Sequence, residues 1–341
     1  MDAVRCAVFG LGRLGHQHAI NLATRVPGAK LVAVLDSVPE LAEKTARELG
    51  VQRWSTEPDE LLAATDIDAI FVVTPTSTHA TLAKKVAESG KALFLEKPVS
   101  LDLEEAAATV HAVEASGILC QLGFMRRFDP AYKAAKAQIA AGAIGEPLYF
   151  KGISRDPQAP PETYVAASGG IFADQSIHDY DIARFMMERE VTSVSAVGSV
   201  LYSKEVARYN DVDQALSYLR FEGGAAGDIE AYRNAFYGYD IRAEILGTEG
   251  TLVVSGLRQQ NVTLLSNRGS NYEILPGFIE RFKEAYVDEL IAFIQCVQQG
   301  ERPSVGVRDG YQALAIATAA KRSYQEKREV AVPGLNEVNV S

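Results

Sequence analysis

A glycine-rich loop near the N-terminus constrains the fold of this chain more than any other feature. The apolar segment Arg5–Phe9 predicts a short strand, which is followed by Gly10, Gly12 and Gly15 in the spacing G-x-G-x-x-G and by a helical pattern through Thr24. The glycine spacing alone is weak evidence, because glycine-rich turns are common. Its place between a strand and a helix, however, is typical of the first unit of a dinucleotide-binding domain.

An acid at the end of the next predicted strand supports this interpretation. The strand Lys30–Leu35 leads into Asp36, 21 residues beyond Gly15, where such a unit places the carboxylate that bonds the adenosine ribose and repels a 2′-phosphate. We therefore expect NAD as the cofactor, with NADP as the alternative because Arg13 inside the loop could meet a phosphate. The expected contacts are Gly10, Gly12, Arg13, Leu14, Gly15 and Asp36.

Strands and helices continue to alternate up to residue 123. The predicted helices are Pro39–Leu49, Thr78–Glu88 and Leu103–Ser116, and the predicted strands are Ala69–Thr74, Ala92–Leu95 and Leu119–Gly123. This alternation indicates a parallel sheet that is covered on both faces and binds ligands at the carboxyl ends of its strands. We assign residues 1–123 to an NAD-binding Rossmann domain.

Two of these strand ends carry polar residues that could reach the cofactor. Thr74 and Pro75 close one strand with His79 just beyond, and Glu96 and Lys97 close the next strand before a proline. In isolation, a proline after a strand is normally only a turn, and a lysine there is normally only solvated. We expect all five residues to contact the cofactor.

The pattern changes in residues 124–341, which we assign to a substrate-binding and oligomerisation domain. A helix at Asp129–Ala141 and a strand at Pro147–Arg155 precede an irregular loop, Asp156–Ser168, which is either a lid or pocket wall or a surface connection. Helices at Gly277–Gln299 and Arg308–Gln325 end the pattern. The consecutive predicted strands between them are Val191–Tyr202, Asp213–Phe221, Ala225–Tyr232, Tyr239–Gly247, Gly250–Val254 and Asn261–Leu265.

Consecutive strands predict an α+β domain with a large, mostly antiparallel sheet. The few helices can cover only one face of that sheet. We expect the open face to pack in a homo-oligomer, either a homotetramer or a dimer. The final ten residues, VPGLNEVNVS, have the composition of a plain terminus.

The segment Gly169–Phe185 holds the strongest candidate for acid–base chemistry. Two glycines open a helical pattern in which Asp174, His178 and Asp181 fall at intervals of four and three, on one helical face. A neighbouring carboxylate fixes the tautomer of an imidazole, which can exchange a proton near neutral pH. A structural histidine and a metal ligand are the alternatives. With only five His and three Cys in the chain, no second cluster completes a metal site, and we predict none.

Length and composition bound the remaining possibilities. A chain of 341 residues favours two domains. Its net charge of -10 and pI near 5.2 argue against nucleic acid or an anionic membrane as a partner. No apolar run approaches the roughly 20 residues of a membrane span, and the N-terminus lacks the design of a signal peptide. We expect Cys6, Cys120 and Cys296 to be buried thiols of a cytoplasmic protein.

The ordered set of motifs resembles the Gfo/Idh/MocA family of nicotinamide-dependent sugar and polyol oxidoreductases. The segments that carry the resemblance are GLGRLG, VVTPTSTH, EKP and GGIFADQSIHDYDIARF, in that order. Within the family, GFMRRFDPAY at 123–132 and YGYDIRAEILGTEGTL at 237–252 look like the bacterial inositol dehydrogenases. The resemblance covers nearly the whole chain.

This resemblance implies an activity and roles for individual residues. A secondary hydroxyl of a cyclic polyol, an inositol, would be oxidised to the ketone with transfer of a hydride to NAD. Lys97 matches the family lysine at the reacting hydroxyl, commonly followed by a cis proline, and would stabilise the alkoxide. Asp174 and His178 match the acid and the histidine of the catalytic helix, with His178 as base. Substrate contacts are further implied for Arg127, Asp156, Asp181 and Tyr237.

One departure and several other activities remain open at the sequence level. Where similar inositol 2-dehydrogenases have His-Arg-Asn-Pro, this chain has Ser154-Arg155-Asp156-Pro157, which changes the hydroxyl orientations that can be bound. The stereoisomer could be myo- or scyllo-inositol. The alternatives are an aldose dehydrogenase, including one for L-glucose-type substrates, a ketose reductase, a glycosidase that uses NAD, and a regulatory protein without catalysis.

Overall fold

The computed structural model describes residues 2–260 and 262–337 of the chain. Its described residues form two compact units. The first consists of residues 2–125, 286–312 and 335–337, and the second of residues 126–260, 262–285 and 313–334. No helix among the described residues is long and apolar enough to cross a membrane.

The first unit is built on a six-stranded sheet in which every pair of neighbouring strands is parallel. Its elements are β1 (Val4–Phe9), α1 (Arg13–Thr24), β2 (Ala29–Leu35), α2 (Pro39–Leu49), β3 (Arg53–Ser55), α3 (Pro58–Leu62), β4 (Ala69–Val72), α4 (His79–Ser89), β5 (Ala92–Glu96), α5 (Leu103–Ser116) and β6 (Cys120–Gly123). The strand order is β3-β2-β1-β4-β5-β6. The order therefore reverses between β1 and β4, where open parallel sheets bind ligands.

The predicted elements of this unit are present, and the Rossmann fold class is confirmed. The structure adds β3 and α3, which are short and carry no periodic apolar pattern from which they could be predicted. Of the three cysteines, Cys6 and Cys120 are buried as predicted. The prediction was wrong for Cys296, which is only half-buried.

The second unit contains a seven-stranded sheet. The remaining elements of the chain are α6 (Pro130–Ala140), β7 (Pro147–Asp156), α7 (Glu162–Ala167), α8 (Ile171–Asp174), α9 (Ile177–Met187), β8 (Val191–Ser199), β9 (Gln214–Phe221), β10 (Ala226–Arg233), β11 (Asp240–Gly247), β12 (Thr251–Val254), β13 (Leu264–Ser266), β14 (Gly269–Asn271), α10 (Phe278–Arg281), α11 (Lys283–Gln299), α12 (Val307–Glu326) and β15 (Val330–Ala331). The sheet order is β12-β11-β7-β10-β9-β8-β15. Only β7 and β10 pair in parallel, so the predicted mostly antiparallel sheet is confirmed.

One face of this sheet packs on helices and the other is open. Along β9, alternate residues are buried, and Leu219 and Phe221 join a core that includes Tyr180 and Met187 of α9. The residues between them point to the opposite face and are exposed. Apolar side chains exposed on the strands of the sheet include Leu148, Val197, Leu216, Tyr218, Leu246 and Val253.

The middle of α11 belongs to the core of the first unit. Val287, Leu290, Phe293 and Ile294 are buried there with strand residues such as Phe71. The sequence predicts a single boundary after residue 123. In the structure, the segment 286–312 lies beyond that boundary in the sequence but belongs to the first unit. The apolar stripe of α11 explains this arrangement, because it is buried against the parallel sheet rather than the antiparallel one.

Three predicted elements differ from the structure. The segment Asp156–Ser168, predicted as irregular, contains the helix α7. The helix predicted over Gly277–Gln299 is interrupted at Phe282. Of the strand predicted over 261–265, Asn261 lies outside the described residues, and the structure has the hairpin of β13 and β14 instead. In the predicted terminus, 335–337 form a 3₁₀ turn and 338–341 lie outside the described residues.

The helix predicted over Gly169–Phe185 is also wrong as a single element. The backbone breaks at Gln175 and Ser176, between α8 and α9, and the amide of Ser176 donates to the Ile171 carbonyl five residues back. The Gln175 side chain explains the break, because its amide donates to the carbonyls of Ser154 and Tyr232 at the ends of β7 and β10. Asp174 therefore lies on a different helix from His178 and Asp181, and the predicted common helical face does not exist.

Candidate active site

The glycine loop between β1 and α1 is packed so closely that larger residues cannot replace two of its glycines. A Cβ atom on Gly10, whose φ is +88°, would lie 2.6 Å from the Val73 carbonyl oxygen. A Cβ atom on Gly15 would overlap the Gly10 carbonyl. A Cβ atom on Gly12 would have no neighbour within 4 Å, so the backbone there is open to a ligand. Beside it, Arg13 is exposed and Leu14 is half-buried.

Asp36 is held against this loop by backbone donors. One carboxylate oxygen accepts from the Leu11 amide at 2.7 Å, and the other accepts from the Val38 amide at 2.9 Å. These bonds fix the acid at the end of β2, next to the loop. An acid at the end of the second strand and an open glycine loop before a helix are the features that a bound NAD requires. The residues of the first unit therefore fit this cofactor.

Thr74, Pro75 and His79 lie at the end of β4. The Thr78 hydroxyl donates to the hydroxyl of Thr74 and to the carbonyl of Pro75. The His79 ring is buried, with one nitrogen 2.8 Å from the Thr74 carbonyl oxygen and the other 2.7 Å from the Pro98 carbonyl oxygen. Burial lowers the pKa of His79, although these two carbonyls oppose the shift. His79 thus braces the ends of β4 and β5 against each other.

Glu96 and Lys97 lie at the end of β5, where a buried side chain again bonds the backbone. The Glu96 carboxylate is buried, accepts from the Lys97 backbone amide at 3.2 Å and lies 3.1 Å from Nε2 of His18. The peptide bond between Lys97 and Pro98 is cis, and the Lys97 side chain is half-buried. The backbone that carries Lys97 is therefore fixed from the interior of the unit.

In the second unit, Asp174 is bonded on both carboxylate oxygens. One accepts from the Tyr164 hydroxyl at 2.8 Å, and the other accepts from the Arg233 guanidinium at 3.0 Å. Arg233 is fully buried and also bonds Asp211, which in turn accepts from the amide of Ile171 at the start of α8. Partial removal of its hydroxyl from water and the neighbouring Asp174 carboxylate raise the pKa of Tyr164, although 49% of the residue is exposed.

Sequence reasoning missed both Arg233 and Tyr164 as partners of Asp174. Arg233 lies one residue beyond the strand predicted at Ala225–Tyr232, where an arginine is normally solvated. Tyr164 lies in the segment predicted as irregular, so nothing indicated the helix α7 that carries it. His178, one residue into α9, is half-buried.

Two buried ion pairs lie beside this region on consecutive arginines. Arg127 donates through two nitrogens to Asp181, at 2.9 Å and 2.6 Å, and both residues are buried. Arg126 likewise bonds Asp179, at 2.6 Å. Both predicted substrate contacts, Arg127 and Asp181, therefore bond each other.

The structure gives the hydrogen bonds of the residues at 154–157, where this chain differs from the His-Arg-Asn-Pro run of similar inositol 2-dehydrogenases. Ser154 is buried, donates to Asp179 at 2.6 Å and accepts from Arg126 at 3.1 Å. The next residue, Arg155, lies on the open side of the sheet, where it bonds Glu230 and the Tyr237 hydroxyl. That hydroxyl also donates to Asp240, at 2.6 Å.

Asp156 ends β7 and is half-buried. Its carbonyl accepts from the amide of Ala235, which fixes the end of the strand. Asp156 lies two residues beyond the buried Ser154 on β7 and therefore on the same face of the strand. Tyr237 instead joins the network of Arg155 and Asp240.

Within residues 2–260 and 262–337, one group of three possible metal ligands lies close together. It consists of His18, Glu96 and Glu289, all buried. Asp174 and His178, the alternative metal ligands considered from the sequence, do not belong to such a group in the described part of the chain.

Comparison with known proteins places these observations in context. The model of the NAD-binding Rossmann fold of the Gfo/Idh/MocA oxidoreductases matches residues 4–124, and that of their C-terminal alpha/beta domain matches residues 136–332. A scyllo-inositol 2-dehydrogenase (NAD(+)) of Bacillus subtilis is 53% identical over 94% of each chain. A myo-inositol 2-dehydrogenase of Thermotoga maritima is 40% identical over 96% of this chain and 98% of the relative.

A solved structure agrees with the fold. The scyllo-inositol dehydrogenase of Lactobacillus casei, crystallised with NAD(H) and scyllo-inositol, superposes with a TM-score of 0.92 at 32% identity. The match covers 97% of this chain and 99% of that one. The similarity therefore extends over both compact units.

Proposed function

The chain belongs to the Gfo/Idh/MocA family of oxidoreductases, and from this premise we propose that it is an NAD-dependent dehydrogenase that oxidises a secondary hydroxyl of an inositol to the ketone. The observation that carries the proposal is the 53% identity with the NAD-dependent scyllo-inositol 2-dehydrogenase over 94% of each chain. We name scyllo-inositol as the first substrate to test. Myo-inositol is the second, because the relative at 40% identity acts on that isomer.

We propose that each of the two domains predicted from the sequence has its own task. The domain of residues 1–123 binds NAD through Gly10, Gly12, Arg13, Leu14, Gly15 and Asp36 and through the strand ends at Thr74, Pro75, Glu96 and Lys97. When bound, NAD accepts the hydride that leaves the substrate carbon. His79 supports this site by bracing the two strand ends. The domain of residues 124–341 binds the polyol.

The reaction requires a base for the hydroxyl proton and a positive charge for the developing alkoxide. We assign the base to His178 and the stabilising charge to the ammonium of Lys97. Asp174 orients His178 or relays its proton, and its bonds to Tyr164 and Arg233 keep it in place. In the reverse direction, protonated His178 would donate the proton to the ketone.

Recognition of the neighbouring hydroxyls is proposed for Asp156, Arg127, Asp181 and Tyr237. The mutual ion pair of Arg127 and Asp181 limits how many hydroxyls those two can bind, because their strongest bonds are to each other. Ser154 sets the specificity through Arg126 and Asp179 rather than by touching substrate, since its hydroxyl is bonded to both. Asp156 is therefore the residue of the altered run that we expect to contact the polyol.

We further propose that the protein is a cytoplasmic homo-oligomer, a tetramer or a dimer. The exposed apolar side chains on the open face of the seven-stranded sheet support this assembly, because burying them against a second copy removes them from water. Light scattering coupled to size-exclusion chromatography measures the mass. A monomer at micromolar concentration would contradict the proposal.

Initial-rate formation of NADH tests the function. The protein is assayed at mildly alkaline pH with NAD and separately with NADP, against scyllo-, myo- and D-chiro-inositol, glucose, xylose and L-glucose, with an acyclic hexitol as control. We expect turnover with NAD and an inositol, and much less with NADP because Asp36 repels its 2′-phosphate. Turnover of aldoses alone, or none with bound cofactor, would reject the inositol assignment.

A further inference from the structure

Glu289 is a buried acid that the proposed reaction does not use. It lies on α11 with no exposed surface, between Val287 and Leu290, which belong to the core of the first unit. Neither of its carboxyl oxygens has a hydrogen-bond partner among the described residues. Its backbone carbonyl accepts from the Gln121 side chain, so the chain is anchored while the acid group points into the interior.

Two titratable side chains lie close to it, His18 of α1 and Glu96 of β5. One ligand atom from each of the three residues lies within 4.8 Å of the others. The buried surroundings also contain the side chain of Gln121 and two aromatic rings, those of Phe94 and Tyr286, which the His18 ring contacts. Two carboxyl groups in so small a dry space cannot both be ionised at moderate cost, because like charges repel strongly where water is absent.

The hydrogen bonds decide which of the two acids carries the charge. Glu96 has two donors, the His18 ring and the Lys97 amide, and these stabilise a carboxylate. Glu289 has none. If Nε2 of His18 donates to Glu96, its Nδ1 has a lone pair, and this nitrogen also lacks a partner in the described chain. A neutral Glu289 supplies the one O–H donor that this remaining set needs.

We propose that Glu289 is a positioning residue: as a neutral carboxylic acid packed against His18 and Glu96, it confines the negative charge to Glu96, the residue that holds the backbone of Lys97. This inference rests on the proposed dehydrogenase function, because it assigns Lys97 to the reaction. Burial and the adjacent Glu96 carboxylate raise the pKa of Glu289 well above its ordinary value, in agreement with the neutral form.

Two variants with side chains of similar length distinguish the effect of the polar group of Glu289 from the effect of its shape. Glu289→Gln keeps a neutral donor, whereas Glu289→Met keeps the unbranched chain and removes every polar atom. We expect kcat of polyol oxidation to fall about tenfold in the Met variant, because His18 and Glu96 lose their neutral polar neighbour. The Gln variant should keep most of the kcat of the parent. NADH affinity, measured by fluorescence titration, should stay within about twofold in both.

The pH dependence of the melting temperature tests the proton directly. A folded-state pKa above the unfolded value of about 4.3 means that the folded protein keeps a proton that the unfolded chain releases. The parent therefore loses stability as the pH rises above about 4.3, and Glu289→Gln cannot. We expect Tm of the Gln variant minus Tm of the parent to increase steadily from pH 5.5 to 8.5. Glu96, His18, His79, Lys97 and Tyr286 face this cluster in both proteins, so the difference reports the proton that the folded protein binds only when Glu289 is present.

The outcomes separate the proposal from its rivals. A Tm difference that stays constant from pH 5.5 to 8.5 would mean that the folded parent holds no extra proton at this cluster and that Glu289 is ionised, which would overturn the proposal. Equal kcat in the Met and Gln variants would overturn the positioning role. If the purified parent contains one divalent metal ion per chain and the Gln variant does not, the cluster binds a metal ion rather than a proton, and the proposal is overturned. If no polyol is oxidised, the proposed function fails, and the Tm series still decides whether the folded protein holds a proton that depends on Glu289.

Discussion

The two compact units stabilise their buried carboxylates in opposite ways. In the second unit several have a guanidinium partner: Arg233 bonds the half-buried Asp174 and the buried Asp211, Arg126 bonds Asp179, and Arg127 bonds Asp181. The buried Asp213 instead accepts from the backbone amides of Leu201, Tyr202 and Ser203. In the first unit, Glu96 and Glu289 lie beside one imidazole, and no lysine or arginine side chain forms an ion pair with them within the described ranges.

This difference predicts different sensitivities. Removing one partner of a buried guanidinium–carboxylate pair leaves a buried ion alone. Acids that share a proton tolerate a neutral replacement and respond to pH instead. We therefore expect the second unit to be sensitive to substitution and the first to be sensitive to pH.

The largest effect is expected for His178→Ala, which tests the division between chemistry and cofactor binding. Loss of a general base lowers kcat by about 10²–10⁴-fold, while NAD affinity, a property of the other unit, should change less than about twofold. Steady-state rates and NADH titration measure the two quantities. His111→Ala, at an exposed position of α5, is the control and should have normal kcat. Loss of NAD binding in His178→Ala would show that the residue is mainly structural.

Arg233→Met tests the ion pairs of the second unit. The substitution leaves Asp174 and Asp211 without their shared cation, which should cost about 3–5 kcal/mol of unfolding free energy. Urea denaturation measures this loss. The exposed Arg47, paired with Glu43 on α2, provides the matched control, and Arg47→Met should cost at most about 0.5 kcal/mol. Similar losses for both variants would contradict the comparison.

The sequence predicts the first unit better than the second, for a physical reason. A glycine loop, an acid at a strand end and alternating apolar segments are local signals, and they correctly predict the parallel sheet and the placement of Asp36. Partners of buried polar groups depend on contacts between distant segments. The bond between Asp174 and Arg233 joins residues 59 positions apart, and no local sequence pattern predicts it.

The same limit explains the broken helix. The spacing of Asp174 and His178 indicates one helix, because the pattern contains no proline or glycine between them. The break depends on Gln175, whose side chain bonds the ends of two strands that lie elsewhere in the sequence. Tertiary hydrogen bonds therefore override local helical preference at the residues that carry the chemistry.

Tyr164→Phe gives a smaller effect that sharpens the account of the second unit. Asp174 loses one donor and keeps Arg233, so kcat should fall about three- to tenfold, equivalent to roughly 1 kcal/mol. Tyr209→Phe, which removes a hydroxyl bonded to the exposed Glu162, is the control and should leave kcat unchanged. Full activity in Tyr164→Phe would mean that Arg233 alone fixes Asp174.

His79→Gln gives the smallest expected effect and tests the pH sensitivity of the first unit. Burial lowers the pKa of His79 in the folded state, so below about pH 6.5 the unfolded chain binds a proton that the folded protein excludes. The parent should therefore lose stability as the pH falls below 6.5, by at most about 1.4 kcal/mol per pH unit, and the Gln variant should not show this loss.

The groups that face His79 make this a sharp test. The carbonyls of Thr74 and Pro98 and the carboxylate of Glu96 favour the charged ring, whereas burial and Lys97 favour the neutral one. Melting temperatures between pH 7.5 and 5.5 decide between them. If burial prevails, the parent loses its advantage over the Gln variant at low pH. If the advantage grows instead, His79 is charged and donates to both carbonyls, and the first unit would then balance its buried acids with a cation, as the second unit does.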